Sequence, residues 1–276
     1  MKMTVQELGK KASWVRYQVL ETAVPIGRGH LGGAFSCTDI LVAIYYGDIL
    51  RFDPRNPNWD KRDRFILSKG HTCTPLYVIL ADLGFFPFLE LKSYRRDGSL
   101  LGGYPDTSTP GIELDTGSLG HGLNVAAGLA LSAKINKKDF ITVALLGDGE
   151  CYEGSVWEAA NFAGHHQLNN LIAIVDRNWQ CVTDFTEDCN RLEPLTDKWM
   201  AFNWEVRRVN GHSFEELLDA FKDFRVRKSA KPLAVIADTI KGKGVSFMER
   251  NVAWHHGVPK GEELEIARQE LRRALK

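Results

Sequence analysis

A Gly-Asp-Gly turn between two apolar runs constrains the fold of this chain more than any other feature. The runs 140–146 and 170–175 are typical of buried strands, and residues 153–167 between them are typical of a helix. Asp148 lies in the turn, and Asn178 follows the second run. Because neighbouring parallel strands end at the same edge of a sheet, both polar groups are expected there. A carboxylate and an amide oxygen at that edge suit a small hard cation that also binds a diphosphate.

Strands and helices alternate from residue 140 to the end of the chain. An earlier strand is predicted over 64–68, and two later ones over 204–209 and 233–239. This order predicts an α/β fold with an open, mainly parallel sheet and helices on both faces. Because no repeat or linker interrupts the pattern, we expect residues 1–276 to form a single domain.

The first part of the chain is predicted to be helical and then to turn. Thr38 is expected to cap a second helix over residues 39–50. The glycines of the segment 27–32 match the pattern G-x-G-x-x-G, but they follow a helix, whereas a dinucleotide site needs a preceding strand. We therefore expect these glycines to let the backbone turn tightly around His30.

Charge and cysteine content exclude several classes of protein. Lys and Arg total 35, as do Asp and Glu, so nothing indicates a nucleic-acid or membrane surface. The longest apolar stretch, residues 40–46, is too short to span a bilayer, and the amino-terminal segment lacks the apolar core of a signal peptide. The five cysteines show no C-x-x-C spacing, which favours a reducing cytoplasm over a disulfide framework or a zinc site.

Three histidines lie beside glycines in predicted loops and are candidates for one site. They are His30, His71 and His256, with His255 as the alternative to its neighbour in the doublet. Imidazole is a common proton carrier near neutral pH. The glycine-rich connection over residues 97–122 is long for a compact domain, and a loop of that length is more often functional than not.

Taken together, these segments resemble the amino-terminal, diphosphate-binding half of transketolase. The Gly-Asp-Gly turn followed about thirty residues later by Asn is the pattern of thiamine diphosphate enzymes. The segments that carry the closer resemblance occur in the family's order and cover nearly the whole chain: 29–33, 68–71, 115–123, 147–165 and 254–259. The resemblance implies a thiamine diphosphate-binding fold.

The resemblance also implies roles for individual residues. Asp148 and Asn178 would be side-chain ligands of Mg²⁺ or Ca²⁺, and Gln180 would contribute its backbone carbonyl. The cofactor contacts would be His71, Gly117, Ser118, Leu119, Gly149, Glu153, Asn178 and His256. The catalytic residues would be His30, His71, His256 and Glu158, of which the histidines contact the sugar and transfer protons. Glu153 and Glu158 resemble the acidic pair that communicates with the partner chain.

Two departures from the family pattern bear on function. Tyr104 stands in the segment 102–106 where the family usually has a histidine, so the sugar substrate is expected to differ from the usual ketose phosphates or to be held by another group. The sequence covers only the first unit of a transketolase. The glutamate that activates the cofactor would therefore lie on a carboxy-terminal subunit with the pyrimidine-binding domain, in an α₂β₂ assembly.

The expected function is transfer of a two-carbon ketol unit from a ketose or ketose phosphate to an aldose or aldose phosphate. Two alternatives remain open at this stage. One is the diphosphate-binding subunit of a related enzyme, such as a deoxyxylulose phosphate synthase or a 2-oxoacid dehydrogenase. The other is a non-catalytic subunit that only binds a partner protein.

Overall fold

A five-stranded parallel sheet lies at the centre of the computed structural model, which describes residues 3–275. Its strands are β1 (Arg64–Leu67), β2 (Thr142–Gly147), β3 (Leu171–Arg177), β4 (Glu205–Asn210) and β5 (Leu233–Asp238). Their spatial order is β1-β2-β3-β5-β4, and each neighbouring pair is parallel. The predicted open parallel sheet is confirmed.

The helices connect the strands and flank the sheet. They are α1 (Val5–Ala23), α2 (Leu31–Tyr46), α3 (Cys73–Asp82), α4 (Gly122–Ile135), α5 (Gly154–His165), α6 (Thr186–Cys189), α7 (Leu195–Ala201), α8 (Phe214–Phe221) and α9 (Gly261–Arg273). None of these helices within residues 3–275 is both long and apolar enough to cross a bilayer. The predicted order of strand, helix and strand around the Gly-Asp-Gly turn is confirmed as β2, α5 and β3.

Each central strand contributes to two hydrophobic cores, because successive side chains of a strand point to opposite faces. In β3, Ile172 and Ile174 pack into the core that α1, α2, α3, α8 and α9 cover. Ala173 and Val175 pack into the core that α4, α5 and α7 cover. Strands that are buried on both faces read as continuous apolar runs, as both runs around the turn do. Helices therefore lie on both faces, as predicted.

The start of α2 differs from the prediction. Thr38 does not cap a helix, because α2 already begins at Leu31 and the Thr38 hydroxyl donates to the carbonyl of Ala34 inside it (2.8 Å). Gly32 lies in the first helical turn, where a Cβ would come within 2.7 Å of the Trp254 carbonyl oxygen. The glycine here allows a close approach of two segments. The predicted tight turn is made by Gly27, whose φ is +66°.

Arg16, Asp39 and His212 form a buried group between α1, α2 and the turn after β4, which we call the helix cluster. Arg16 donates to the Asp39 carboxylate (3.0 Å to Oδ1) and to the carbonyl of Phe35 (2.9 Å). His212 Nε2 accepts the N–H of Ile240 (2.9 Å), so its Nδ1 carries the proton that faces Asp39 Oδ2 (2.6 Å). Every charged member of the cluster therefore has a partner.

Candidate functional site

A cavity of about 310 Å³ opens at the carboxyl ends of β2 and β3. The sequence-predicted residues that line it are His71, Leu119, Asp148, Gly149, Asn178 and Gln180, joined by His255 of the histidine doublet. They come from separate segments of the chain. Parallel strands end here on one side of the sheet, which is the usual position of a ligand site in an open α/β fold.

Asp148 directly follows β2 and is buried at the floor of the cavity. Its carboxylate accepts the N–H of Gly149 (2.8 Å) and the N–H of Trp179 (2.6 Å). Burial raises the pKa of Asp148 to about 6, and the positive charge of Arg177, 3.1 Å away, acts in the opposite direction. Burial therefore makes the ionised form of Asp148 less stable than it is in water, and a bound cation would offset this cost.

Arg177, the last residue of β3, joins Asp148 to the loop that follows. Its side chain is fully buried and donates to the hydroxyl of Thr186 (2.6 Å) and to the carboxylate of Glu187 (2.7 Å). The guanidinium also lies 3.8 Å from the centre of the Trp179 ring. Nothing in the local sequence pattern signals this residue, because its partners come from other parts of the chain.

The oxygen donors around Asp148 fit a hard cation. Asn178 and Gln180 line the same cavity, and Asn178 Oδ1 accepts the N–H of Gln180 (3.2 Å). The side-chain amide of Gln180 is buried, and among the described residues neither its nitrogen nor its oxygen has a hydrogen-bond partner. An unsatisfied buried amide is costly unless a ligand or water completes it. Carboxylate, amide and carbonyl oxygens are the donors that Mg²⁺ and Ca²⁺ prefer.

Two buried lysines line the cavity, and sequence reasoning missed both. Lys69 pairs with the buried carboxylate of Asp176. Lys241 donates to the carbonyl of Cys181 (2.8 Å) and approaches His255 Nδ1 (2.9 Å). Burial, followed by repulsion from Lys69, lowers the pKa of Lys241 to about 8. The signal that could have found Lys241 is its position in the glycine-rich turn after the last strand.

The histidines predicted to share a site do lie together. The ring centre of His30 is 5.0 Å from that of His71 and 4.4 Å from that of His256. Burial lowers the pKa of His71 to about 2, that of His255 to about 3 and that of His30 to about 4. In the ligand-free chain these three imidazoles are therefore neutral at pH 7, when each can both donate and accept a hydrogen bond.

The two members of the histidine doublet lie in different environments. His255 lines the cavity and contacts Lys241, whereas His256 is exposed beside His30. The reason is local, since a short helical turn over Val252–His255 ends between the two residues. The expectation that His256 contacts the cofactor stays a prediction, and the position of His255 supports that residue as the alternative.

His30 is not among the residues that line the cavity, and neither are four predicted residues outside the histidine group: Gly117, Ser118, Glu153 and Glu158. All four are exposed, the first two in the long loop and the last two at the start and on the outer face of α5. Tyr104 is also exposed and lies over Gly117, where a Cβ would meet its ring at 3.3 Å. From this chain alone their roles stay predictions, and their exposure leaves them available to a second chain.

Glu150 holds the long loop against the sheet. One carboxylate oxygen accepts the N–H of Gly120 (2.9 Å) and the hydroxyl of Ser68, and the other accepts the N–H of Gly147 (3.0 Å). These three residues lie in the loop and at the ends of β1 and β2. Leu119 thereby reaches the cavity although no helix or strand precedes it nearby.

The chain was compared with known proteins by sequence and by structure. A family model described as the transketolase thiamine diphosphate-binding domain matches residues 9–274. One of the subunits of an apulose-4-phosphate transketolase from Phocaeicola vulgatus is 42% identical over 98% of this chain and 95% of its own length. A 6-deoxy-6-sulfo-D-fructose transketolase subunit from a Clostridium species is 41% identical over 91% of this chain and 90% of its own.

The fold has close counterparts among solved structures. The transketolase of Campylobacter jejuni superimposes with a TM-score of 0.91 at 32% identity and covers 98% of this chain. The alignment takes in only 43% of that longer protein. The chain therefore spans less than half of a single-chain transketolase but nearly all of the relatives that are named as subunits.

Proposed function

This chain belongs to the transketolase family, and we propose that it acts as the amino-terminal subunit of a two-chain transketolase. The reaction is transfer of a two-carbon ketol unit from a ketose, or ketose phosphate, to an aldose acceptor. The observation that carries the proposal is the cavity in which Asp148, Asn178 and Gln180 face two buried lysines. Such a site combines oxygen donors for a cation with positive charge for a diphosphate.

In this proposal the whole chain forms one thiamine diphosphate-binding domain. Asp148, Asn178 and the carbonyl of Gln180 would hold Mg²⁺ or Ca²⁺ beside the diphosphate. Lys241 and the backbone of Gly149 would bind the diphosphate oxygens, and Leu119 would pack against the cofactor. When bound, thiamine diphosphate supplies the electron sink that the cleavage of a carbon–carbon bond requires.

The histidines act on the sugar and on the cofactor's surroundings. His30, His71 and His255 are neutral in the ligand-free chain, so each imidazole can donate a hydrogen bond to a hydroxyl or accept one from it. His30, which lies against both His71 and His256, would position the sugar's oxygens. Burial of His71 and His255 favours positioning by hydrogen bonds over storage of a proton.

The partner and substrate follow from the relatives. The two relatives at 41–42% identity take their names from an apulose phosphate and a sulfo-sugar, so a modified ketose fits this chain as well as a common one. Tyr104, which is exposed beside Gly117, agrees with a changed sugar. The partner would carry the pyrimidine-binding domain and the activating glutamate, facing Glu153, Glu158 and Gly117 in an α₂β₂ assembly. Free cysteines fit a cytoplasmic enzyme.

Thermal unfolding tests the proposal directly. The chain is melted alone and with its co-expressed companion, each with thiamine diphosphate plus Mg²⁺, with thiamine plus Mg²⁺, or with buffer. We expect the midpoint to rise only with the diphosphate, and most in the complex, because ligand binding to the folded state stabilises it. Equal midpoints with diphosphate and buffer in both preparations would refute the cofactor assignment.

A further inference from the structure

Two cysteines in the loop after β3 lie close enough to react with each other. The sulfur atoms of Cys181 and Cys189 are 3.3 Å apart, and the residues are eight positions apart in sequence. Cys181 is half-buried and Cys189 is exposed, whereas Cys37, Cys73 and Cys151 are buried. A disulfide has a bond of about 2.05 Å, so the sulfurs need to approach by only about 1.3 Å.

The backbone of this loop is already closed. Gln180 and Phe185 form an antiparallel bridge, and the N–H of Cys181 donates to the carbonyl of Asp184 (3.0 Å). Cys189 ends the single turn of α6, and its N–H donates to the carbonyl of Phe185 (3.1 Å). Folding has therefore already brought the ends of the loop together, which is the main entropic barrier to a short cross-link.

The same loop forms part of the cavity wall. Cys181, Val182, Thr183 and Cys189 all line the cavity that contains Asp148. Any change that fixes this loop acts on the entrance and exit of whatever the cavity holds. Intracellular disulfides, where they occur, are most often transient and redox-sensing.

We propose that Cys181 and Cys189 form a reversible disulfide, made by hydroperoxides and undone by thiols, that fixes the loop over the cavity. A thiolate of the pair attacks a peroxide oxygen, the O–O bond breaks, and the leaving hydroxide takes up a proton to become water. The second thiol attacks the resulting sulfenic sulfur, the S–O bond breaks, a second water leaves, and the S–S bond forms. Two thiols lose two electrons and two protons while one hydrogen peroxide becomes two waters.

Peptide mapping tests the bond itself. The full chain in complex with its partner is treated with hydrogen peroxide, alkylated, unfolded, alkylated again with a second reagent and digested with a protease that cuts between the two cysteines, after Phe185 or Glu187. We expect the peptides that contain Cys181 and Cys189 to be joined, with a mass two hydrogens lower, and to separate after reduction. Cys189→Ser should abolish the link, whereas Cys37→Ala, a change at a buried cysteine elsewhere, should retain it. Recovery of both thiols free, or of Cys181 and Cys189 oxidised separately, would overturn the proposal.

Cofactor exchange tests the effect on the cavity, and this part rests on the proposed function. The complex is loaded with labelled thiamine diphosphate and diluted into excess unlabelled cofactor. The rate at which the bound label is lost is then measured. We expect loss from the oxidised protein to be several-fold slower than from the reduced protein, and Cys189→Ser to show no difference. If the oxidised protein, with its disulfide mapped, lost cofactor as fast as the reduced protein, the proposal that the disulfide fixes the loop would be wrong. Absence of cofactor binding in the reduced complex would instead refute the proposed function and leave the mapped bond intact.

Discussion

Two groups of buried charges can be compared within this one chain. The helix cluster of Arg16, Asp39 and His212 is closed, since each charged group has a protein partner. The group at the cavity is built around Asp148, Arg177 and Lys241, and it opens onto a volume large enough for a ligand. It includes a buried amide, that of Gln180, which none of the described residues satisfies.

The two groups differ in the direction in which the pKa of the buried carboxylate is shifted. Arg16 and His212 hold the pKa of Asp39 below its usual value despite the opposing effect of burial. At Asp148 burial prevails and raises the pKa to about 6. A carboxylate with a lowered pKa stabilises the folded state, and one with a raised pKa is held at a cost. The ionised Asp39 therefore stabilises the folded state. The ionised Asp148 destabilises it in the absence of a ligand, and a bound cation would offset that cost.

The largest effect is expected from breaking the closed group. Asp39→Asn leaves the buried guanidinium of Arg16 without its anion and should lower the free energy of unfolding by about 3 kcal/mol. Glu21→Gln removes the partner of Arg268 from a half-exposed pair and serves as the control, with an expected loss below about 1 kcal/mol. Urea unfolding measures both. If both variants lost the same unfolding free energy, the buried ion pair would contribute no more to stability than the partly exposed one, contrary to this prediction.

The opposite result is expected at the cavity. Asp148→Asn removes the negative charge for the cation, and its one amide oxygen can replace only one of the two carboxylate oxygens that accept the N–H of Gly149 and of Trp179. We expect activity of the complex to fall by about 100-fold or more, which corresponds to about 2.7 kcal/mol. Without cofactor this variant should lose less stability than Asp39→Asn, because removal of a costly buried charge offsets the lost hydrogen bond and Arg177 keeps its contact with Glu187.

Asp39→Asn is the matched control for Asp148→Asn, since both change a buried Asp to its isosteric amide. It should keep the cofactor's dissociation constant while losing stability. If Asp148→Asn lost stability and kept activity, Asp148 would belong to the fold and the metal assignment would be wrong.

A smaller effect is expected from Lys241→Met, which keeps the length of the side chain and removes its charge. Affinity of the complex for thiamine diphosphate should fall about tenfold, or about 1.4 kcal/mol, because one cation facing the diphosphate is lost. Affinity for thiamine, which has no phosphate, should change little. Titration calorimetry with both ligands measures the contrast. A similar loss for both ligands would show that Lys241 shapes the cavity and does not bind phosphate.

Acid should remove the stabilisation by Asp39 gradually. Its pKa in the folded state lies below the unfolded value of about 3.9. The carboxylate's contribution is therefore fully present above that value and is lost as the pH falls through the folded pKa. The difference in unfolding free energy between wild type and Asp39→Asn should shrink as the pH is lowered below about 4. A difference that grows on acidification would contradict the assigned ion pair.

The sequence predicted those parts of the molecule whose cause is local. Asp148 and Asn178 follow apolar runs that are continuous because β2 and β3 are buried on both faces, so their shared edge could be read from the pattern. Thr38 was misjudged because Gly32 and Gly33 read as a turn. They lie in a helix, where Trp254 and Thr72 come too close for a side chain.

The parts that escaped prediction depend on contacts between distant segments. Arg177 contacts Asp148 and Glu187 only in the folded chain. The same holds for the contact of Lys241 with the loop after β3. The choice between His255 and His256 depends on where one short helical turn ends. No periodicity records such pairings, because each is set by tertiary packing and not by the residue's neighbours in the chain.

Glu150 has a consequence for how such a chain can diversify. Its buried carboxylate accepts hydrogen bonds from Gly120 and from the ends of two strands, and so anchors the inner end of the long loop to the sheet. The outer part, with Tyr104 and Gly117, lies beyond that anchor and is exposed. Under the proposed function, substitutions at Tyr104 would change a group that faces the sugar while the residues around Asp148 keep their contacts.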